Sequence, residues 1–301
     1  MKFEGIYTPI VTPFQNDGSI DYGAFGEVID WQVENGVHGI IVSGSTGEFY
    51  ALSKGERIAQ FRFAAERIAG RATFIAGVND IRVDECLEIT AAARDAGADA
   101  LLVAAPPYSL PSSAELAAHV AAVDRAAGLP IMLYNYPGRT GVSMDEAFLD
   151  LVAGTGNVAA IKESAGDAGR IQMLASQYPQ LQLTAGAEDL VLEFYAWGAK
   201  SWVCVTSNFF PRACVRFHEI CAIGGDFDTG RRIMAALLPL MNLLEKSGKF
   251  VQCVKRACER RGRPGGSVRL PLLPLDDTLA READAIIDQT GAALTEIIGE
   301  V

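Results

Sequence analysis

The stretch DAGADALLVAAPPYSLPSSAELAAHVAAVDRAAGLPIMLY, Asp95 to Tyr134, begins one structural unit and then begins it again. Gly97 closes a helical run, at the point where a chain leaves a helix through the left-handed conformation that glycine tolerates. A short apolar run follows, Ala100–Ala104, then a Pro-rich loop and an amphipathic helical pattern over Ser113–Ala126. A second glycine exit, AAGLP, leads into another apolar run, Ile131–Tyr134. Strand, helix and strand in this order predict a crossover unit with parallel strands.

The unit recurs along the chain. Candidate strands are Ile6–Val11, Gly39–Val42, Phe74–Gly77, Ala100–Ala104, Ile131–Tyr134, Val158–Lys162, Leu181–Ala185 and Trp202–Val205. Helical patterns lie between them at Tyr22–Glu34, Lys54–Ala69, Val83–Ala96, Ser113–Ala126, Met144–Val152, Gly169–Gln177, Leu190–Trp197 and Pro211–Ile223. Glycine exits recur in ENGVHGI and AWGAK. Eight evenly spaced units predict a closed (β/α)8 barrel over residues 1–224 rather than an open doubly wound sheet. After Gly224 the alternation stops. Residues 225–301 read as a C-terminal helical region packed on the barrel, with a last helix near Leu279–Ile297.

Totals narrow the function. Of 301 residues, half are hydrophobic, enough for a large core, and the net charge is -11. An acidic chain is a poor partner for nucleic acid, and any acid-binding site needs a local positive charge. Six cysteines show no C-x-x-C pairs, which suggests free thiols in a reducing compartment. The N-terminal MKFEGIYTPIVTPF lacks the pattern of a signal peptide and no run approaches membrane-spanning length, so a cytoplasmic protein is expected. His38, His119 and His218 are too dispersed for a metal site, and no G-x-S-x-G elbow is present.

In such a barrel, chemistry gathers at the C-terminal ends of the strands. Of seven lysines, only Lys162, in NVAAIKESAGD, ends a candidate strand. A lysine desolvated there loses its proton more easily, and the free amine can attack a ketone to form a Schiff base. The competing reading is a structural lysine paired with Glu163 or Asp167. Tyr134, in LYNYPGRTG after the fifth strand, can shuttle protons, and Arg139 can hold a carboxylate. A Pro-Gly turn with a core tyrosine and a solvated arginine is the competing reading. In GSTGE, Gly44 to Glu48, small residues, hydroxyls and backbone amides can hold an anion, or merely form a tight turn. Tyr108 lies in the Pro-rich loop APPYSLPS.

The set GSTGE, PPY, YNYPGRTG and IKESAGD, in this order, resembles the dihydrodipicolinate synthase and N-acetylneuraminate lyase family. The likeness runs from GIYTPIVTPF to VRLPLLPL, nearly the whole chain. The resemblance implies a (β/α)8 barrel, assembled as a homotetramer, that forms a Schiff base with pyruvate or another 2-oxo acid and needs no metal or organic cofactor. It implies that Lys162 is the Schiff-base lysine and Tyr134 the proton relay. Ser45 stands for the bridging hydroxyl, where synthases usually have threonine. Tyr108 matches a tyrosine lent across a subunit interface. Thr46 and the adjacent backbone, Gly47 included, match the group that holds the 2-oxo acid's carboxylate. Arg139 matches the arginine that binds the second substrate. Val205, ending the eighth candidate strand, completes the expected binding set.

Arg139 favours the synthase branch, with pyruvate and aspartate semialdehyde as substrates in lysine biosynthesis. Tyr136, where synthases commonly have a smaller residue, ESAGD after the lysine and AGAED at the seventh strand depart from that branch. The alternatives are a 2-keto-3-deoxy sugar-acid aldolase or dehydratase, a hydroxyproline-pathway deaminase, or a non-catalytic 2-oxo-acid sensor. Retention of Lys162, Tyr134, Ser45 and Tyr108 together argues against the sensor, which needs no proton relay.

Overall fold

Each apolar run of the sequence forms a strand in the computed structural model, which describes residues 1–299. The strands are β1 (Gly5–Pro9), β2 (Gly39–Val42), β3 (Thr73–Gly77), β4 (Ala100–Ala104), β5 (Ile131–Asn135), β6 (Val158–Glu163), β7 (Gln182–Ala185) and β8 (Ser201–Val203). All neighbours pair in parallel, and β8 returns to β1, so the sheet closes. Closure explains the unbroken apolar runs, because one face meets the barrel interior and the other the helices. Phe3, Tyr7, Ile41, Ile75, Leu102, Met132 and Val203 fill the interior.

Helices α1 (Tyr22–Glu34), α2 (Lys54–Ile68), α3 (Val83–Asp95) and α4 (Ser113–Ala127) follow the first four strands. Ser53 and Ser112 start α2 and α4 with reciprocal capping boxes to Glu56 and Glu115. The expected glycine exits hold: Gly36, Gly97, Gly128 and Gly198 all have positive φ. The second half of the barrel carries α5 (Pro137–Thr140), α6 (Glu146–Val152), α7 (Ala168–Gln177), α8 (Val191–Ala196) and α9 (Pro211–His218).

Three boundaries differ from the sequence reading for local reasons. The PGRT segment is the short helix α5 rather than a plain turn, with Pro137 in its first turn. The sixth helix starts at Glu146 rather than Met144, because Asp145 caps it and the Met144 amide is donated to Asn135 Oδ1. The helix beginning at Pro211 ends at His218 and passes into a π-turn over Glu219–Ile223, closed by Gly224 N–H bonding Glu219 O at 2.8 Å.

Past the barrel come α10 (Phe227–Lys246), α11 (Phe250–Arg260) and α12 (Asp277–Ile298). The α10 stripe Ile233, Leu237, Leu240 and Leu244 is buried at helical spacing. With Ala257 and Leu294 it joins the same apolar core that lies between strands and helices. Among the described residues, no helix is long and apolar enough to cross a membrane.

Candidate active site

Parallel register places Tyr134 beside Lys162 and Asn135 beside Glu163. Side chains alternate along a strand, so Tyr134 and Lys162 share the inner face while Asn135 and Glu163 point outward. The Lys162 ammonium lies 4.0 Å from the centre of the Tyr134 ring, and the two residues are 6% and 5% exposed. Glu163 is not its partner. That carboxylate accepts from Asn135 Nδ2 at 2.9 and 2.8 Å, from the Ala165 amide at 2.7 Å and from Arg170 Nε at 2.9 Å. Asp167 is engaged as the cap of α7. The reading of Lys162 as a lysine paired to either acid is therefore corrected: strand alternation turns Glu163 away.

Burial pushes the Lys162 ammonium down to about 8, opposed by the carboxylates of Glu188 and then Glu245. The Tyr134 phenol is pushed up to about 12 by burial, against the pull of the Arg139 guanidinium and the Ser45 and Ser164 hydroxyls. Gly186 makes the space for this arrangement. A Cβ there would lie 2.2 Å from Ser164 Oγ and 2.8 Å from Lys162 Cγ.

A cavity of about 220 Å³ opens above the pair, lined by Ser45, Thr46, Tyr134, Arg139, Lys162 and Val205 among others. Ser45 and Thr46 come from the loop after β2. Arg57 holds that loop to the next one, donating to Ser43 Oγ at 2.9 Å, Asn79 O at 2.8 Å and Gly77 O at 2.7 Å. Gly47 lies behind Thr46 rather than on the cavity wall. Its carbonyl accepts from Thr12 Oγ1 at 2.8 Å, and a Cβ on it would come 3.1 Å from Ile10 O. Val205 lies past β8 rather than in it, because its amide and that of Thr206 turn to Glu188.

Tyr108 stands apart from this cavity at 92% exposure, with a positive φ in its loop. A second, more apolar hollow of about 290 Å³ shares Ser45, Tyr134, Tyr136 and Arg139 with the first.

Among the wall residues to which the sequence alone assigned no role are Ser164, Glu188, Glu245 and Phe250. Glu188 follows β7, accepts from Thr206 Oγ1 at 2.7 Å, and is pushed up to about 7 by burial. Its place two residues beyond Gly186 could have marked it, since residues just after a barrel strand face the open end. Lys255 lies on α11, away from any strand end, yet it is 2% exposed and pairs with the buried Glu48 of GSTGE at 2.5 Å. Among the described residues, no group of three or more His, Cys, Asp or Glu is placed to hold a metal ion.

A closed parallel barrel with a desolvated lysine and a tyrosine side by side at its open end is the framework of a Schiff-base lyase. The chain belongs to the dihydrodipicolinate synthetase family, whose model matches residues 2–290. It is 38% identical over 281 residues to the 4-hydroxy-tetrahydrodipicolinate synthase of Salinibacter ruber, covering 92% of each chain. The structure of the 4-hydroxy-tetrahydrodipicolinate synthase from Methylacidiphilum fumariolicum SolV superposes with a TM-score of 0.91 at 32% identity, over 98% of both chains. The chloride-inhibited dihydrodipicolinate synthase from Acinetobacter baumannii, solved with pyruvate, superposes with a TM-score of 0.89 at 29% identity, over 96% of this chain and 99% of that one.

Proposed function

We propose that this chain condenses pyruvate with aspartate semialdehyde through a Schiff base on Lys162, as a 4-hydroxy-tetrahydrodipicolinate synthase. The observation that carries the reading is the buried Lys162 amine 4.0 Å from the Tyr134 ring, under a cavity that also holds Arg139. Its acidity is within reach of neutral pH, so a useful fraction is the free nucleophile.

The Lys162 amine adds to the ketone carbon of pyruvate, and its lost proton passes through Tyr134 to the former carbonyl oxygen. A second proton takes that oxygen out as water and leaves the imine. The protonated imine draws electrons from the adjacent methyl carbon, which loses a proton to give an enamine. The enamine carbon attacks the aldehyde, a C–C bond forms, and the new alkoxide takes a proton. Water or an amine then displaces Lys162 and frees the product. Tyr134 is too weak an acid to serve alone, so Ser45 beside it continues the relay. Thr46 and the loop amides take the pyruvate carboxylate, and Arg139 takes that of the second substrate.

In this reading residues 1–224 carry the nucleophile and the C-terminal helical region covers one side of the cavity through Glu245 and Phe250. The relay is completed by Tyr108 from a neighbouring copy in a homotetramer, and the protein works in the cytoplasm. Its exposed position in the single chain is what a residue donated to a partner requires.

The test is turnover. Purified protein with pyruvate is offered aspartate semialdehyde and, separately, a panel of 2-keto-3-deoxy sugar acids in the cleavage direction. Condensation with aspartate semialdehyde is expected to exceed every other activity. A sugar acid as the best substrate would reject the synthase assignment while keeping the Schiff base.

A further inference from the structure

The outer wall of the cavity brings opposite charges together without pairing them. Arg139, on α5, lies between two rings, its guanidinium carbon 5.4 Å from the centre of Tyr136 and 5.3 Å from that of Phe250. Glu245, one residue from the end of α10, lines the same cavity. The Tyr136 hydroxyl donates to Glu245 Oε2 at 3.2 Å, the one hydrogen bond found for that carboxylate among the described residues. Among the described residues, no salt bridge joins Glu245 to Arg139. A carboxylate has room for about four hydrogen bonds, so most of its accepting capacity remains. Its charge acts on Arg139 across the wall and reaches inward as well, to Lys162, Tyr134, Tyr136 and Glu188.

An exposed cation and an exposed anion on one wall, joined by no direct salt bridge, match a ligand that carries both charges in the same order. A carboxylate alone would meet Arg139 but would also face Glu245, at a cost from like-charge repulsion. A carboxylate beside a protonated amine satisfies both. We propose that Glu245 is a specificity-determining residue, selecting a second substrate whose far end is an α-amino acid head group. The carboxylate goes to Arg139 and the ammonium to Glu245. This rests on the synthase reading given above and adds the contact that distinguishes an amino aldehyde from its desamino analogue.

A purely structural part for Glu245, tethering Tyr136, gives a different outcome, because Tyr136→Phe removes that tether and keeps the carboxylate. The experiment uses the full chain with pyruvate and two aldehydes of equal length. Aspartate semialdehyde is followed as substrate, and succinate semialdehyde, which lacks the amine, as its competitive inhibitor. Glu245→Gln is expected to raise KM for aspartate semialdehyde about tenfold, the size of one hydrogen bond to a charged group. Measured above about pH 8, where Lys162 is largely the free amine with or without the Glu245 charge, KM for pyruvate should hold, and succinate semialdehyde should bind as well as before or better. Tyr136→Phe should preserve the discrimination between the two aldehydes. Equal weakening of both aldehydes in Glu245→Gln, no change in either, or the same loss of discrimination in Tyr136→Phe, overturns the inference alone. No turnover of aspartate semialdehyde by the unaltered protein overturns the synthase reading and the inference with it.

Discussion

Lys162 owes its readiness to lose a proton to where β6 ends. Burial destabilises the ammonium, while Glu188 and Glu245 keep the shift moderate, so its acidity settles at about 8. Imine formation with pyruvate should therefore rise with pH and level off above about 8, as the ammonium gives up its proton. Glu188 stabilises the charged form, so Glu188→Gln should move that limb to lower pH. Borohydride trapping rates across the pH range check both statements, and an unmoved limb would remove Glu188 from the account. Tyr134→Phe keeps the ring beside Lys162 but removes the proton carrier, and should slow turnover by about 10²-fold or more. Single-turnover kinetics would show it as slow imine formation with pyruvate still bound. Lys162, Tyr134 and Arg139 were legible in the sequence because each lies at or just after a strand end, and strand ends can be read from apolar runs. Glu163 was misread as a possible partner because adjacency in sequence means opposite faces in a strand.

The elements explain how the open end stays in place. Glu48 has a left-handed backbone and 0% exposure, and its carboxylate meets Lys255 of α11. Lys255 also donates to Thr12 O at 2.9 Å and Ser267 O at 2.5 Å, tying the loops after β1 and β2 to the C-terminal helices. Burial pushes the Glu48 acid up and the Lys255 ammonium down, so each depends on the other for its charge. Lys255→Met should destabilise the fold by about 3–5 kcal/mol, the usual result of leaving a buried charge alone. Adding Glu48→Gln should recover much of that, which urea unfolding of the single and double variants would measure. A full-strength loss in the double variant would mean that packing, not charge, sets the effect. The strands and most helices were legible because their periodicity is local. The pairing of Lys255 was not: a helical pattern shows which face is apolar, but not which loop will meet a lone cation on it.

For the whole molecule, the barrel was legible because eight similar units repeat, and repetition survives errors at single boundaries. The cavity's outer wall was not, since Tyr136 and Glu245 lie 109 residues apart and meet only when α10 folds back over the barrel. The proposed part of Tyr108 in a neighbour's relay is tested at the scale of assembly, because one chain leaves it 92% exposed and away from the cavity. Mixed oligomers of Tyr108→Phe and Lys162→Ala should regain activity that neither variant has alone, because a site with Lys162 can then receive Tyr108 from its neighbour. Activity in the mixture no greater than in the separate variants would contradict exchange between copies. All of this depends on Lys162 forming a covalent link with the 2-oxo acid. The direct test is to incubate the protein with pyruvate, reduce with borohydride, and measure the intact mass and the modified peptide. One reduced pyruvyl group per chain is expected, on Lys162 and absent from Lys162→Ala. An unmodified protein, or an adduct that persists in Lys162→Ala, would contradict it.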